Sequence, residues 1–210
     1  MDFIEKVIYI NLSHRIDRKQ QIESELLKVF PPEKIQRFDA IKHEKGGIGC
    51  SMSHIGALEL AIQNNWKNVL IVEDDLQWRN PEKGSKLLLN LISKPYDVIL
   101  LSGHDVFHNS KTYKLRDCCA RTAYLVSNHY YTTLLNNYKE GLKLLIKEFK
   151  SPHRGDRYWN RIQQRDNWYI IMPQMCIQRP SFSDIEQRNV NYTHRCNNRL
   201  FSMIKSVRFP

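Results

Sequence analysis

The residues best suited to chemistry in this chain are three adjacent acids, Glu73, Asp74 and Asp75, in the stretch "NVLIVEDDLQW" at 68–78. An apolar run, Val69 to Val72, leads directly into them. Such a run reads as a strand buried on both faces, and open α/β sheets bind ligands outside the carboxyl ends of their strands. Neighbouring carboxylates repel one another, and partial burial makes the repulsion worse. A divalent cation offsets it, and hard oxygen ligands select magnesium or manganese. Side chains two apart in an extended segment point the same way, so Glu73 and Asp75 can face a site together. A turn would instead present Asp74 and Asp75. The plainer reading pairs the acids with a nearby base such as Arg79. A magnesium-like ion held by few carboxylates completes its shell with substrate phosphates.

Three more stretches carry candidate groups. "YINLSHRIDRK" (9–19) is a strand followed by a loop whose Asn, Arg and Asp residues suit a nucleotide's base and phosphate, through forked arginine contacts. It also reads as a helix start with Asp17 as cap. "GIGCSMSHIGAL" (47–58) is a glycine loop entering a helix, where free amides favour anions. His54 lies about one turn inside. In "HRGDRYWNRI", Asp156 follows Gly155 at the start of a short helix and is a candidate to accept a proton, or else a cap.

The net charge is +10, from 32 basic and 22 acidic side chains. An anionic partner fits: nucleic acid, phosphorylated lipid or nucleotide sugar. The bases are scattered and no aromatic-basic strand pair is visible, which argues against specific nucleic acid. No apolar run approaches the ~18 residues of a membrane span. The start, "MDFIEKVIYINL", carries Asp2 and Glu5 without a small-residue cleavage site, so it reads as a first strand rather than a signal peptide. A soluble, cytoplasmic protein without a transmembrane segment is expected. The five cysteines are odd in number and lack zinc-site spacing, which suggests free thiols in a reducing compartment.

The elements that must position these groups alternate. Strands are expected at 6–12, 68–72, 96–103, 122–127 and 168–173. Helices are expected over 17–30, where Pro31-Pro32 stops the run, and after Ser51 as cap, with Ile55, Leu58 and Ile62 as its buried stripe. Further helices are expected around 85–92, over 129–150 and over 156–165. The 129–150 helix should bury Leu142, Leu145, Ile146 and Phe149 and leave Lys139, Lys143 and Lys147 solvated. The segment 46–50 reads as a flexible loop. This pattern is α/β with a mainly parallel sheet. One domain over 1–210 is expected, with a basic tail at about 188–210 that includes "RLFSMIKSVRFP".

The set "YINLSHRIDR", "GCSMSH", "LIVEDD", "TAYLVS" and "PQMCIQRPSFSDI" occurs in the order seen in family 25 glycosyltransferases, and the chain resembles that family over roughly 6–187. The family includes lipooligosaccharide sugar transferases and collagen hydroxylysine galactosyltransferases. The resemblance implies a GT-A-type, Rossmann-like fold, a UDP-sugar donor, manganese or magnesium, and a glycan or protein hydroxyl as acceptor. Glu73, Asp74 and Asp75 then look like the family's DXD metal motif. Asn11, Arg15 and Arg18 look like its nucleotide edge. Gly49, Cys50, Ser53 and His54 match its Gly-Cys-x-x-Ser-His signature. Pro173, Gln178, Ser183 and Asp184 match its closing segment. Asp156 resembles the base position of other GT-A enzymes, with Asp184 as the next carboxylate. The family commonly has a small residue before the "TAYL" strand, where this chain has Arg121. Two other functions compete for the same residues: a non-catalytic polyanion- or glycan-binding protein, and a metal-dependent phosphodiesterase.

Overall fold

The computed structural model describes residues 1–196. The expected tail segment "RLFSMIKSVRFP" lies outside them. The chain runs β1 (Lys6–Asn11), α1 (Ile16–Leu26), β2 (Ile35–Asp39), α2 (Gly46–Gln63), β3 (Asn68–Glu73) and β4 (Leu76–Trp78). It continues through α3 (Pro81–Ile92), β5 (Val98–Leu100), β6 (His104–His108), β7 (Leu115–Cys119), β8 (Ala123–Ser127) and α4 (Tyr131–Lys147). The last elements are α5 (Gly155–Tyr158), α6 (Asn160–Gln163), β9 (Trp168–Ile170), β10 (Cys176–Gln178), β11 (Ser181–Ser183), β12 (Arg188–Val190) and α7 (Thr193–Cys196).

Six strands form the central sheet in the order β2-β1-β3-β8-β5-β9. β1 lies parallel to β2 and β3, and β5 lies parallel to β9. β8 runs against both β3 and β5. The sheet is therefore mixed, where a mainly parallel one was expected. The chain between β5 and β8 folds into the β6–β7 hairpin, and an antiparallel return needs no helical crossover.

The run Val69–Val72 is fully buried because helices cover both faces of the sheet. Val69 and Ile71 pack with Leu58, Ala61, Leu134 and Tyr138 of α2 and α4. Leu70 and Val72 pack with Ile22 and Leu26 of α1 and Leu88 and Leu91 of α3. Strand alternation divides one apolar run between two cores.

Residues 46–50 open α2 rather than forming a flexible loop. Ser51 is therefore no cap; its hydroxyl donates to the Gly47 carbonyl at 3.0 Å. The two glycines further along serve close approach. A Cβ at Gly49 would stand 2.4 Å from the Ile41 carbonyl oxygen, and one at Gly56 2.4 Å from the Phe38 ring. Ile62 is partly exposed, and the buried stripe runs through Ile48, Ile55, Leu58 and Ala61. On α4 the core face is Leu134, Tyr138 and Leu145, while Ile146 and Phe149 are exposed. Lys139 is not simply solvated: it pairs with Glu59 of α2 at 2.7 Å. The expected 156–165 helix is split into α5 and α6. The expected tail begins later than 188, since Arg188–Val190 pairs with Ser181–Ser183. No described helix is long and apolar enough to cross a membrane.

Candidate functional site

β3 delivers Glu73 to the carboxyl edge of the sheet, its amide bonded to the Thr122 carbonyl at 3.0 Å. The first turns of α2 bring Cys50 and His54 to the same place, four residues apart and so on one helical face. The possible ligand atoms of Cys50, His54 and Glu73 all lie within 4.8 Å of one another. His54 Nε2 stands 3.2 Å from Glu73, and Nδ1 stands 2.7 Å from the Tyr124 hydroxyl. Burial, reinforced by Arg121, pushes His54 down to about 4, so the ring is neutral at pH 7. A carboxylate only accepts, so Nε2–H donates to Glu73 and the Tyr124 O–H donates to Nδ1. Burial raises the Glu73 carboxyl, but the His54 hydrogen bond, together with the Arg121 charge, outweighs it and holds the group below its usual range. Burial pushes the Cys50 thiol up to about 12.

The other two acids of the triplet turn elsewhere. Both Asp74 oxygens are occupied, one by Arg18 at 2.7 Å and one by Asn11 Nδ2 at 2.8 Å. Asp75 accepts from Gln178 at 3.0 Å and faces Arg18 at 3.6 Å. Its second oxygen is buried without a partner. Burial first, then the Glu73 charge, push Asp75 up to about 7. The acids thus pair with Arg18, not Arg79. The convergent set among the described residues is Cys50, His54 and Glu73, not the three carboxylates.

A divalent cation fits this place by its donor set, a thiol, a neutral imidazole and a carboxylate that can converge on one ion. Thiolate and imidazole are softer ligands than carboxylate, so this donor set leans toward zinc rather than magnesium.

Two cavities meet at Glu73. A cleft of about 680 Å³ is lined by Arg18, Ser53, His54, Asp74, Asp75 and Asp184, among others. A chamber of about 180 Å³ is lined by Arg121, Arg154, Asp156, Arg157, Tyr192 and Arg195, among others. Cys50, Glu73, Gln178, Ser183 and Ile185 border both.

The structure separates several residues that the sequence grouped. Arg15 is engaged by Asp17 at 2.8 Å and by Asp184. Arg18 also donates to the Ser181 hydroxyl at 2.7 Å and the Phe182 carbonyl at 2.8 Å. Both guanidiniums are therefore committed within the protein. Asn11, which is buried, and Arg15 line neither cavity. Gly49 also lines neither, and Ser53 ties α2 down by accepting the Ile41 N–H at 2.8 Å. Asp184 borders the cleft and Asp156 the chamber, on either side of the residues that the two cavities share. Asp156 is not the cap of α5, a place held by Arg154; its carboxylate accepts the Ala120 N–H at 3.2 Å. Sequence reasoning misses Cys50 as a candidate ligand and Tyr124 as the residue that orients His54. Counting cysteine spacings alone hides the Cys50–His54 pair, whose signal is four-residue spacing at a helix start facing a strand-end acid.

No family model matches the chain. It is 27% identical over 127 residues to a subunit of the ATP-dependent helicase/nuclease from Alkaliphilus metalliredigens (strain QYMF), covering 57% of this chain and 11% of that protein. The chain thus spans about a tenth of the length of the curated relative it matches. A solved structure of a protein from STIV has a TM-score of 0.48 at 11% identity, covering 89% of this chain and 93% of that one. A solved glycosyltransferase involved in the glycosylation of the major capsid of PBCV-1 has a TM-score of 0.53 at 10% identity, covering 80% of this chain and 81% of that one. The likeness is one of fold, a mixed α/β sheet flanked by helices that loosely resembles the GT-A type.

Proposed function

We propose that this protein is a metal-dependent glycosyltransferase, its 210 residues one transferase domain. It moves galactose or glucose from a UDP-sugar, with inversion, to a hydroxyl of a glycan or of a hydroxylysine-bearing, collagen-like chain. The observation that carries this reading is the position of Glu73, at a strand's carboxyl end and bordering both cavities. The cleft has room for a nucleotide, with Ile10, Leu12 and Ile41 as apolar lining. Gly46 at the start of α2 borders it, and no side chain caps that helix end.

Glu73, with Cys50 and His54, would hold a divalent cation, which when bound would offset the negative charge that develops on a nucleoside diphosphate. Tyr124 fixes the ring orientation of His54. The Arg18–Asp74 pair holds the strand end in place. Asp156 takes the proton of the attacking hydroxyl from the chamber side.

The test is release of UDP from UDP-galactose and UDP-glucose with manganese, magnesium or zinc, in the parent and in Glu73→Gln. Turnover should need a divalent ion and fall about 10²–10³-fold in the variant. If no UDP-, GDP- or CMP-sugar is turned over or raises the melting temperature with any of the three metals, the reading is wrong.

A further inference from the structure

Arg121 occupies the position where a small residue was expected from the resemblance, and its side chain lines the chamber next to Glu73. It is 5% exposed. One guanidinium nitrogen donates to Cys50 Sγ at 3.1 Å, while the other, Nη1, has no hydrogen-bond partner. A buried donor left unmade is costly and calls for a partner. Gly155 makes room for this nitrogen, since a Cβ there would stand 2.1 Å from Nη1.

The chamber holds more uncommitted positive charge. Among the described residues, neither Arg154 nor Arg157 has an ion-pair partner. Arg154 lies over the Phe149 ring, and its charge bears on Glu186 across the chamber without closing to an ion pair. The acids on the same walls have hydrogen-bond partners of their own, Glu73 in His54, Asp156 in the Ala120 amide and Glu186 in Arg188 and Tyr192. The Arg121 charge is what offsets Glu73 and Asp156. Arg195 is held by Asp105. Three guanidinium groups therefore line one small space, Arg154 and Arg157 with their forks unpaired and Arg121 behind them with one nitrogen spare but enclosed against Gly155. The arrangement suits carboxylate or phosphate oxygens.

We infer that the chamber is an oxyanion subsite, and that the sugar it receives carries a carboxylate or a phosphate held by Arg121, Arg154 and Arg157. This rests on the reading of the cleft as the nucleotide's place and adds the class of sugar. With galactose or glucose as the transferred sugar the anion belongs to the acceptor; an anionic transferred sugar would replace that choice of hexose and leave the nucleotide reading in place. A purely structural Arg121, shielding Cys50 and stacking 5.4 Å over the Tyr138 ring, predicts no sugar preference at all.

The experiment is calorimetric titration of the full chain in two arms. In the first, with UDP and manganese present, free glucuronate and glucose 6-phosphate are compared with glucose. In the second, UDP-glucuronate is compared with UDP-glucose. The anionic member should bind about tenfold more tightly in at least one arm. The preference should disappear in Arg121→Lys, and in the double variant Arg154→Ala with Arg157→Ala, while affinity for UDP stays unchanged. Preference among free sugars assigns the anion to the acceptor; preference only among UDP-sugars assigns it to the transferred sugar. Absence of any anionic preference in both arms, or a preference that survives both variants, overturns the inference. If UDP fails to bind while the free anionic sugars still separate parent from variants, the nucleotide reading falls and the subsite stands.

Discussion

Asp156 and Cys50 both border the chamber with Glu73, yet their surroundings prepare them for different work. The Asp156 carboxylate accepts one backbone N–H, from Ala120, and is not needed to cap α5. Asparagine can accept that same bond through its carbonyl oxygen but cannot take up a proton. Asp156→Asn is therefore expected to leave the melting temperature and UDP affinity unchanged while lowering sugar transfer by about 10² or more. Transfer retained at the parent rate would move the base role to Asp184, which Arg15 already holds on the cleft side. Cys50 bears on metal identity instead. A thiolate ligand favours zinc strongly and manganese little. Cys50→Ser should weaken zinc binding, measured by chelator competition, at least about tenfold, with a much smaller change for manganese. Equal losses for both metals would mean that the thiol does not ligate.

The loop after β1 behaves as a clasp between elements. Arg18, from α1, meets Asp74 at the end of β3 and also holds Ser181 and the Phe182 carbonyl of β11. Arg18 and Asp74 are both buried, so removing one partner leaves an uncompensated charge inside the protein. Arg18→Ala is expected to destabilise the fold by about 3–5 kcal/mol in urea unfolding. Arg15 ties α1 to Asp184, but Asp17 and Asp184 are more exposed, and Arg15→Ala should cost about 1 kcal/mol or less. Equal effects of the two variants would show that no such clasp exists. The loop's Asn-Arg-Asp composition reads equally well as a nucleotide edge, because composition does not reveal which acid an arginine will meet. Here the partner acid lies 56 residues away. The glycines of α2 misled for a similar reason: Gly49 and Gly56 make room for the Ile41 carbonyl and Phe38, contacts that local sequence does not announce.

Across the whole molecule, what was legible was whatever burial on two faces writes into local pattern. The apolar runs of β1, β3 and β8 and the periodic face of α1 are of this kind, whereas on α4 only Leu145 of the expected face is fully buried, with Ile146 and Phe149 exposed. The pairs β4–β10, β6–β7 and β11–β12 were not legible, since three- to five-residue strands are fixed by distant partners, as Trp78 is by Cys176. The strand-end position of Glu73 was readable; the choice of Cys50 and His54 over Asp74 and Asp75 as its neighbours was not. Packing also decides how the molecule responds to acid. His104 is nearly fully buried against Tyr192, their rings 5.3 Å apart. Burial first, and then Arg195, hold it down at about 4 against 6.5 for a free histidine. The unfolded chain therefore takes up a proton between these values while the folded one does not. Its contribution to stability is complete above pH 6.5, falls as the pH drops toward 4 and is level below that. The loss is at most about 3 kcal/mol. His54, also held at about 4, adds a loss in the same window. The carboxylate of Asp17, lowered to about 2, acts only below its ordinary value of 3.8. Asp75, held up at about 7, works the other way, since the folded chain takes up its proton between 7 and 3.8 before the unfolded one does. Urea unfolding from pH 7 to pH 4 should therefore be read as a difference, with stability falling less, or rising more, in His104→Gln than in the parent while the His54 and Asp75 shares stay the same in both. Identical slopes would mean that water reaches His104 and that the chamber wall is open where the structure closes it.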